Sequence, residues 1–138
     1  MAGNIQLEVV TPEGSVVSEP AQIVMAPGSL GEFGVLIGHT PFLTSLKMGA
    51  LHSKDESGVD RYVFVSGGFA EALPDRVTVL AESAERRRDI DLERVKSALE
   101  RAQKRLAQTK DTDLDFARAK AALERALHRM RVAETRRG

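Results

Sequence analysis

The stretch Arg-Tyr-Val-Phe-Val-Ser-Gly-Gly-Phe-Ala-Glu-Ala-Leu-Pro-Asp-Arg-Val-Thr-Val-Leu (61–80) decides the fold of the first part of the chain. It contains three short apolar runs, at 61–65, 69–73 and 76–80, and turn-forming residues separate them. Runs of this length that are rich in Val and Phe and bounded by Gly-Gly or Pro-Asp are typical of β-strands joined by tight turns. No apolar period of 3.6 residues is sustained, so a helix is not indicated here.

The same pattern extends back to the start of the chain. Ile5, Leu7 and Val9 alternate with the polar residues Gln6 and Glu8, as in a strand that buries one face. Short runs rich in Val, Ile and Phe then recur, and turn residues interrupt them about every 8 to 12 residues. This spacing predicts an antiparallel β-sandwich of about ten short strands over the first 85 residues.

The chain after residue 85 has a helical pattern instead. Asp89 and Asp91 offer oxygens for a helix N-cap, and Thr112 with Asp115 resembles a capping box at the start of a second helix. Two apolar stripes follow these caps with alternating spacings of three and four residues: Leu92, Val95, Leu99, Ala102 and Leu106, then Phe116, Ala119, Leu123, Ala126, Met130 and Ala133. The stripes predict a C-terminal antiparallel two-helix hairpin.

Charge divides the chain at the same place. The 138 residues carry 20 basic and 20 acidic side chains, so the formal net charge is zero. Residues 1–85 nevertheless have a net charge of −7, and residues 86–138 have +7. We therefore predict two domains, an acidic sandwich at 1–85 and a basic helical hairpin at 86–138. A basic field of this size favours an acidic partner surface, a nucleotide or a nucleic acid.

The hairpin is expected to be only marginally stable by itself. Seven of the stripe residues are larger than alanine, and each contributes at most about 1.5–3 kcal/mol when buried. Ordering each residue of the hairpin costs about 1–2 kcal/mol in backbone entropy. We predict that the hairpin depends on the sandwich or on a partner, and that it can detach as a unit.

The sequence shows no constellation suited to catalysis or to metal binding. There is no cysteine, and His39, His52 and His128 lie in different elements without the spacing of a zinc site. The glycine-rich stretch 28–34 does not have GxGxxG spacing, and strand-forming residues follow it, so we interpret it as a compact turn. We predict a non-catalytic part of a larger assembly with no catalytic residue and no metal.

Two motifs resemble a known family. Gly-Glu-Phe-Gly-Val-Leu-Ile-Gly-His-Thr-Pro (31–41) and Val-Ser-Gly-Gly-Phe-Ala-Glu (65–71), followed by Val-Thr-Val-Leu-Ala-Glu (77–82) and an Ala/Arg-rich hairpin, are similar to the epsilon subunits of bacterial F-type ATP synthases. The resemblance covers essentially the whole chain. It implies a rotor component of the central stalk that couples proton-driven rotation to ATP synthesis.

The resemblance also implies partners. In this family the sandwich binds the gamma subunit and rests on the membrane ring of c subunits, while the hairpin can extend towards the catalytic alpha/beta head and inhibit ATP hydrolysis. The implied partner-binding residues are Leu30, Glu32 and Phe33 in the ring-facing loop and His39 near the gamma-facing side. From the residues alone, the turn displays Leu30, Glu32 and Phe33 at one end of the sandwich, and packing of Leu30 and Phe33 into the core is the alternative. His39 fits a turn.

Some bacterial members bind ATP on the hairpin as a regulatory ligand, and no cofactor is otherwise required. The implied nucleotide-binding residues are Glu85, Ile90, Asp91, Arg94, Arg101, Arg125 and Arg129. Guanidinium groups grip phosphates, and Asp91 could accept a hydrogen bond from an adenine amino group. Asp91 is equally explained as an N-cap and the arginines as solvated charge, and Val95 stands where the family has alanine.

A nucleic-acid-binding module that uses the basic hairpin is the alternative function. Phe116 is the only aromatic residue of the hairpin and belongs to its apolar stripe, which disfavours base stacking and hence nucleic acid as a partner. The chain shows no signal-peptide pattern and no apolar run of about 20 residues. We expect it at the cytoplasmic face of the bacterial plasma membrane, associated with the membrane only through the complex.

Overall fold

The computed structural model describes residues 3–110 and 114–135, which form ten β-strands, one short 3-10 turn and two α-helices. The strands are β1 Ile5–Thr11, β2 Gly14–Ala21, β3 Ile23–Gly28, β4 Gly31–Val35, β5 Phe42–Leu46, β6 Gly49–Lys54, β7 Asp60–Val65, β8 Gly68–Leu73, β9 Arg76–Ala81 and β10 Ala84–Arg86. The 3-10 turn spans Arg87–Asp89, and the helices are α1 Leu92–Gln108 and α2 Leu114–Glu134. The predicted fold class, a sandwich of about ten strands followed by a two-helix hairpin, is confirmed.

Two compact units divide these residues, one reaching Arg87 and the other spanning Arg88–Thr135. The predicted boundary after residue 85 and the roles assigned to the two domains stay predictions. Among the residues described, no helix is long and apolar enough to cross a membrane.

The strands follow one hydrogen-bonded path, β10-β7-β6-β3-β5-β8-β9-β1-β2, with β4 paired to β3. Most neighbours are antiparallel, whereas β1 and β9 run parallel. Strands β3 and β5 are joined by the single residue pair Gly28 and Leu46. At this weakly paired point the sheet folds over into two layers. Side chains that alternate inward from both layers form the core.

The core of the sandwich consists mainly of β-branched and other aliphatic residues. Residues 5, 7 and 9 of β1 and 77, 79 and 81 of β9 are buried, as the alternating pattern predicts. The buried cluster comprises Ile5, Leu7, Val9, Val17, Ala21, Val24, Ala26, Val35, Leu46, Leu51, Val63, Val65, Ala70, Ala72, Val77, Val79 and Ala81.

At the Ser-Gly-Gly motif (66–68), two paired segments of the chain, β7–β8 and β9–β10, cross together from one layer to the other. Ala81 pairs with Gly68 in one layer, and Ala84 pairs with Val65 in the other. Between these pairs the Ser66 N–H donates to the Ser83 carbonyl at 3.1 Å. Gly68 has φ +138°, and a Cβ there would collide with the Leu80 carbonyl oxygen. Only glycine fits this close approach.

The glycine-rich stretch 28–34 is a β-hairpin: the predicted turn is confined to two residues, and the rest of the stretch lies in strands. Strand β3 continues to Gly28, strand β4 begins at Gly31, and only Ser29 and Leu30 form the turn. Gly34 lies within β4 opposite Met25, and a Cβ there would be 2.7 Å from the Met25 sulfur. Glycine serves here to admit a neighbouring side chain rather than to end a strand.

Helices α1 and α2 pack against each other. Their buried residues are Val95 and Ala102 on α1 and Ala119, Ala126 and Val132 on α2. The first four belong to the predicted stripes, whereas Val132 is buried in place of its neighbour Ala133, which is only half-buried. The predicted cap at Thr112 lies outside the described residues.

Candidate functional site

The β3–β4 turn presents an apolar side chain at the tip of the sandwich. Leu30 is fully exposed. The Ser29 N–H donates to the Ser45 carbonyl at 2.9 Å, and the Ser45 hydroxyl donates to Ser29 Oγ at 2.7 Å. These bonds fix the turn to the end of β5, so the exposure of Leu30 is a property of an ordered turn.

Two further predicted partner-binding residues follow on β4. Glu32 is exposed opposite Pro27 and shares the tip with Leu30. Phe33 is half-buried, packs against the core, and meets the Phe42 ring edge-on at a centroid distance of 5.0 Å. Leu30 and Glu32 therefore form the accessible surface of the tip, and Phe33 supports it from beneath.

His39, the fourth predicted partner-binding residue, lies in the loop between β4 and β5 and is half-buried. Its Nδ1 is 2.6 Å from the Thr40 carbonyl oxygen, and because a carbonyl can only accept, Nδ1 carries the donated hydrogen. Its ring centroid is 5.1 Å from that of Phe42. Since Phe42 contacts both His39 and Phe33, the structure joins these two predicted residues in one aromatic cluster.

An exposed apolar surface that the sequence analysis missed lies on the outer face of β5, β8 and β9. We call it the outer strip and define it as Leu43, Phe69 and Leu80, which are 70%, 56% and 56% exposed. Phe69 pairs directly with Leu80 across β8 and β9, and Leu43 lies diagonally from Phe69 on β5. Large apolar side chains grouped on a solvent-facing sheet are typical of a binding surface.

Strand parity carried a signal for the outer strip. Phe69 shares its face with Glu71, and Leu80 shares its face with Thr78, whereas the alternate residues of both strands are buried alanines and valines. Large apolar residues thus share the outer face with polar residues, while small residues fill the buried face. This distribution indicates that the outer face is itself used for contact.

The predicted nucleotide-binding residues begin at the start of α1. Asp91 is the N-cap, and its side chain accepts a hydrogen bond from the Arg94 N–H at 3.2 Å. Its carbonyl also accepts from the Val95 N–H at 3.0 Å. The structural role expected for Asp91 is thus present, and one carboxylate oxygen is engaged in it. Ile90, half-buried, immediately precedes this cap.

The predicted arginines divide between the two helices. Arg94 and Arg101 are exposed on α1 and, being seven residues apart, lie on one side of it. Arg125 and Arg129 are half-buried, one turn apart on α2. Six of the seven predicted nucleotide-binding residues thus belong to the unit Arg88–Thr135, and Glu85 lies in β10 opposite Phe64.

Val95 is buried, with 5% of its surface exposed. Its two methyl groups therefore occupy interior volume at the position where the resembling family has alanine. In the part of the chain that the structure describes, no three His, Asp or Glu side chains are grouped to hold a metal ion.

Comparison with known proteins identifies the family. The family described as ATP synthase, Delta/Epsilon chain, beta-sandwich domain matches residues 4–87, and the corresponding long alpha-helix domain matches residues 88–134. An ATP synthase epsilon chain from Desulfatibacillum aliphaticivorans is 71% identical over 106 residues, covering 77% of this chain and 75% of that protein. The epsilon chain from Desulfosudis oleivorans is 69% identical over 106 residues, covering 77% of this chain and 80% of that protein.

Solved structures agree with these matches. A chain of the Euglena gracilis mitochondrial ATP synthase, in an OSCP/F1/c-ring structure, has a TM-score of 0.75 at 26% identity and covers 90% of this chain and 78% of its own. A chain from the Tetrahymena thermophila mitochondrial ATP synthase has a TM-score of 0.54 at 12% identity, covers 94% of this chain and 96% of its own, and shares the fold alone. The nucleic-acid-binding alternative receives no support. The resemblance inferred from the motifs is confirmed, and the chain belongs to the delta/epsilon family of ATP synthase subunits.

Proposed function

We propose that this chain is a non-catalytic, epsilon-type subunit of the central stalk of an F-type ATP synthase. The observation that carries the proposal is the family match to both halves of the chain, the sandwich and the helical hairpin. In this role the chain couples proton-driven rotation of the c-ring to ATP synthesis. It is held at the cytoplasmic face of the bacterial plasma membrane through the complex.

The sandwich offers two separate exposed surfaces for this role. The outer strip is broad, apolar and built on a paired sheet, which suits a stable contact with the gamma subunit. The tip is narrow and carries Leu30 beside the carboxylate of Glu32, which suits a smaller contact with the c-ring. Because the two surfaces lie on different elements, each can be altered without the other.

The gamma contact is tested by a Phe69→Ser, Leu80→Ser double variant. Both side chains are already exposed, so the free chain should stay folded. We expect affinity for the purified gamma subunit to fall by about 100-fold or more, since each buried large apolar side chain contributes about 1.5–3 kcal/mol. The matched control is Val59→Ser, an exposed apolar residue of the loop between β6 and β7. Unchanged affinity of the double variant would remove the outer strip from the interface.

The tip is tested with Leu30→Asp in the assembled complex. We expect proton-driven ATP synthesis to fall severalfold while affinity for gamma is retained, because a charge opposes burial of the tip against the c-ring. Val59→Asp introduces the same charge away from the tip and should leave synthesis unchanged. Equal synthesis rates in the two variants would contradict a ring contact at Leu30.

The hairpin is proposed to inhibit ATP hydrolysis by extending towards the alpha/beta head. The small buried residues of α1 and α2 and the net charge of +7 after residue 85 support an element that separates readily and meets an acidic surface. Deleting residues 88–138 should raise ATP hydrolysis by the assembled complex severalfold and leave assembly intact. Hydrolysis that does not rise after the deletion would refute this role.

ATP is proposed as a regulatory ligand of the hairpin. Arg125→Ala with Arg129→Ala should lower the affinity for ATP at least about tenfold in calorimetric titration, because charge-assisted bonds to phosphate are lost. Arg118→Ala removes an exposed arginine of α2 and is the control. Identical titrations for all three proteins, or no heat from the unaltered chain at millimolar ATP, would reject the site.

The two roles of Asp91 can be separated by substitution. Serine caps a helix about as well as aspartate, but its side chain is shorter and uncharged. Asp91→Ser should therefore leave the thermal stability of the helical unit unchanged and lower its affinity for ATP. Asp91→Ala should lower both the thermal stability and the affinity for ATP. If Asp91→Ser binds ATP normally, capping alone explains the residue.

A further inference from the structure

Strands β2 and β10 form the two ends of the strand path, and one side chain bridges them. The Arg86 Nε donates to the Val16 carbonyl at 3.2 Å. Both terminal nitrogens of Arg86 lie 3.3 Å from Glu19 Oε2. The Arg86 and Glu19 side chains are only 17% and 21% exposed. We call these three residues the seam clasp.

A β-bulge in β2 frees the carbonyl that the clasp uses. Along β1 and β2 the register passes from Val9–Val17 to Val10–Ser15, so Val16 is the extra residue of the bulge. A bulged residue leaves the ladder and the strand twists locally. The Val16 carbonyl is therefore available to a partner outside the β1–β2 ladder, and the Arg86 guanidinium supplies that partner.

The clasp secures a strand that is otherwise weakly held. Strand β10 has three residues and a register of three pairs with β7. Its beginning is fixed by the Ser66 and Ser83 hydroxyls, 2.8 Å apart, and its end is fixed by the clasp. A guanidinium that bonds a carboxylate and a carbonyl together holds a fixed geometry that a longer ladder would otherwise provide.

We propose that the seam clasp closes the sandwich between β2 and β10 and holds the last strand of the sandwich in place when the hairpin moves. The closure depends only on the contacts above, whereas its link to hairpin movement rests on the proposed inhibitory function. Without the clasp, β10 can separate from β7 and release three more residues, which adds about 10 Å of reach at about 3.3 Å per residue. The clasp thus limits how far the hairpin can extend.

Amide hydrogen exchange on the full chain tests the closure. In Glu19→Gln and Arg86→Met we expect amides 84–86 to exchange at least about tenfold faster, because local opening no longer breaks an ion pair. Amides of β1 and β9 should keep their rates, which shows that the sandwich is folded. Glu13→Gln, an exposed carboxylate of the β1–β2 turn, is the matched control. Unchanged exchange at 84–86 in both variants overturns the proposal.

A double variant that reverses the two charges tests whether the ion pair, rather than a loss of folding, explains the faster hydrogen exchange. Arg86→Glu with Glu19→Arg can restore the ion pair but not the bond to the Val16 carbonyl, so exchange at 84–86 should return part of the way to the original rate. Exchange as fast as in the single variants would overturn the ion-pair part of the clasp.

ATP hydrolysis by the complex assembled with Glu19→Gln separates this proposal from the proposed function. Faster amide exchange at 84–86 together with a changed rate of ATP hydrolysis supports both the clasp and its link to the inhibitory hairpin. Faster exchange with unaltered inhibition supports the clasp and contradicts its link to the hairpin.

Discussion

The sandwich and the hairpin bury different kinds of side chain. Seventeen residues form the core cluster of the sandwich, and most are valine, leucine or isoleucine with almost no exposed surface. The buried residues of the described helices are three alanines and two valines. Because hydrophobic stabilisation grows with the apolar area removed from water, the first unit has a much larger stabilising term per residue. The helical hairpin, with its smaller buried side chains, is therefore better suited than the sandwich to change its conformation.

Hydrogen exchange is the measurement that could break this comparison outright. We expect amides of α1 and α2 to exchange at least about 100-fold faster than those of β1 and β9, since local opening free energies follow buried apolar contact. The experiment uses the full chain under native conditions, with the rates of an unstructured peptide as the fast reference. Equal protection in the helices and the central strands would show that the hairpin is not a separately opening element.

A matched pair of leucines sharpens the comparison. Leu51 of β6 is fully buried, and Leu99 of α1 is only half-buried. Leu51→Ala should lower the free energy of unfolding by about 2–5 kcal/mol, and Leu99→Ala by less than half as much. Urea denaturation followed by circular dichroism measures both. A larger effect at Leu99 would mean that α1 carries core contacts comparable with those of the sandwich.

A comparison of two glycines distinguishes the cost of backbone strain from the cost of a packing clash within the sandwich. Gly14 and Gly68 have similar positive φ values, +128° and +138°, but an added Cβ meets nothing at Gly14 and meets the Leu80 backbone at Gly68. We expect Gly14→Ala to cost about 1–2 kcal/mol from backbone strain and Gly68→Ala to cost clearly more. Thermal melting of the two variants measures the difference. Equal costs would mean that the crossing at 66–68 adjusts without loss.

The sequence predicted most of the fold because its signals are local. The alternation of Ile5, Leu7 and Val9 and the stripe through Val95 and Ala102 follow directly from the periods of a strand and a helix. The pairing of β1 with β9 in parallel, and the clasp of Arg86 on Glu19, join residues distant in the chain. No local pattern specifies such contacts, so they appear only in the folded structure.

The candidate site was predicted in part for the same reason. Leu30 lies in a stretch whose glycines indicate a turn, and its full exposure decides between the two alternatives that the sequence left open, the tip or the core. The burial of Phe33 against Phe42 depends on packing between strands, which the turn pattern does not show. The outer strip was missed because Leu43, Phe69 and Leu80 become neighbours only through the strand register.

The smallest expected effect concerns acid and a single loop of the sandwich. The Val59 N–H donates to the Asp55 carboxylate at 2.9 Å, as does the Ser57 N–H, and Arg61 pairs with it at 3.1 Å. These contacts, led by the Val59 hydrogen bond, hold the pKa of Asp55 below its usual range despite partial desolvation.

A carboxylate with a lowered pKa in the folded state stabilises that state above its unfolded pKa and loses the contribution as the pH falls through the folded value. We therefore expect the free energy of unfolding to decrease with acid below the usual titration range of aspartate. Asp55→Asn keeps an oxygen that accepts the turn hydrogen bonds but cannot titrate, so its pH dependence should be flatter. Ser57→Ala changes the same loop without altering a charge and should keep the original slope. Since Asp55 belongs to the sandwich, the flattening should be seen in unfolding of the strands. The same slope in Asp55→Asn and the unaltered chain would contradict a contribution from this carboxylate.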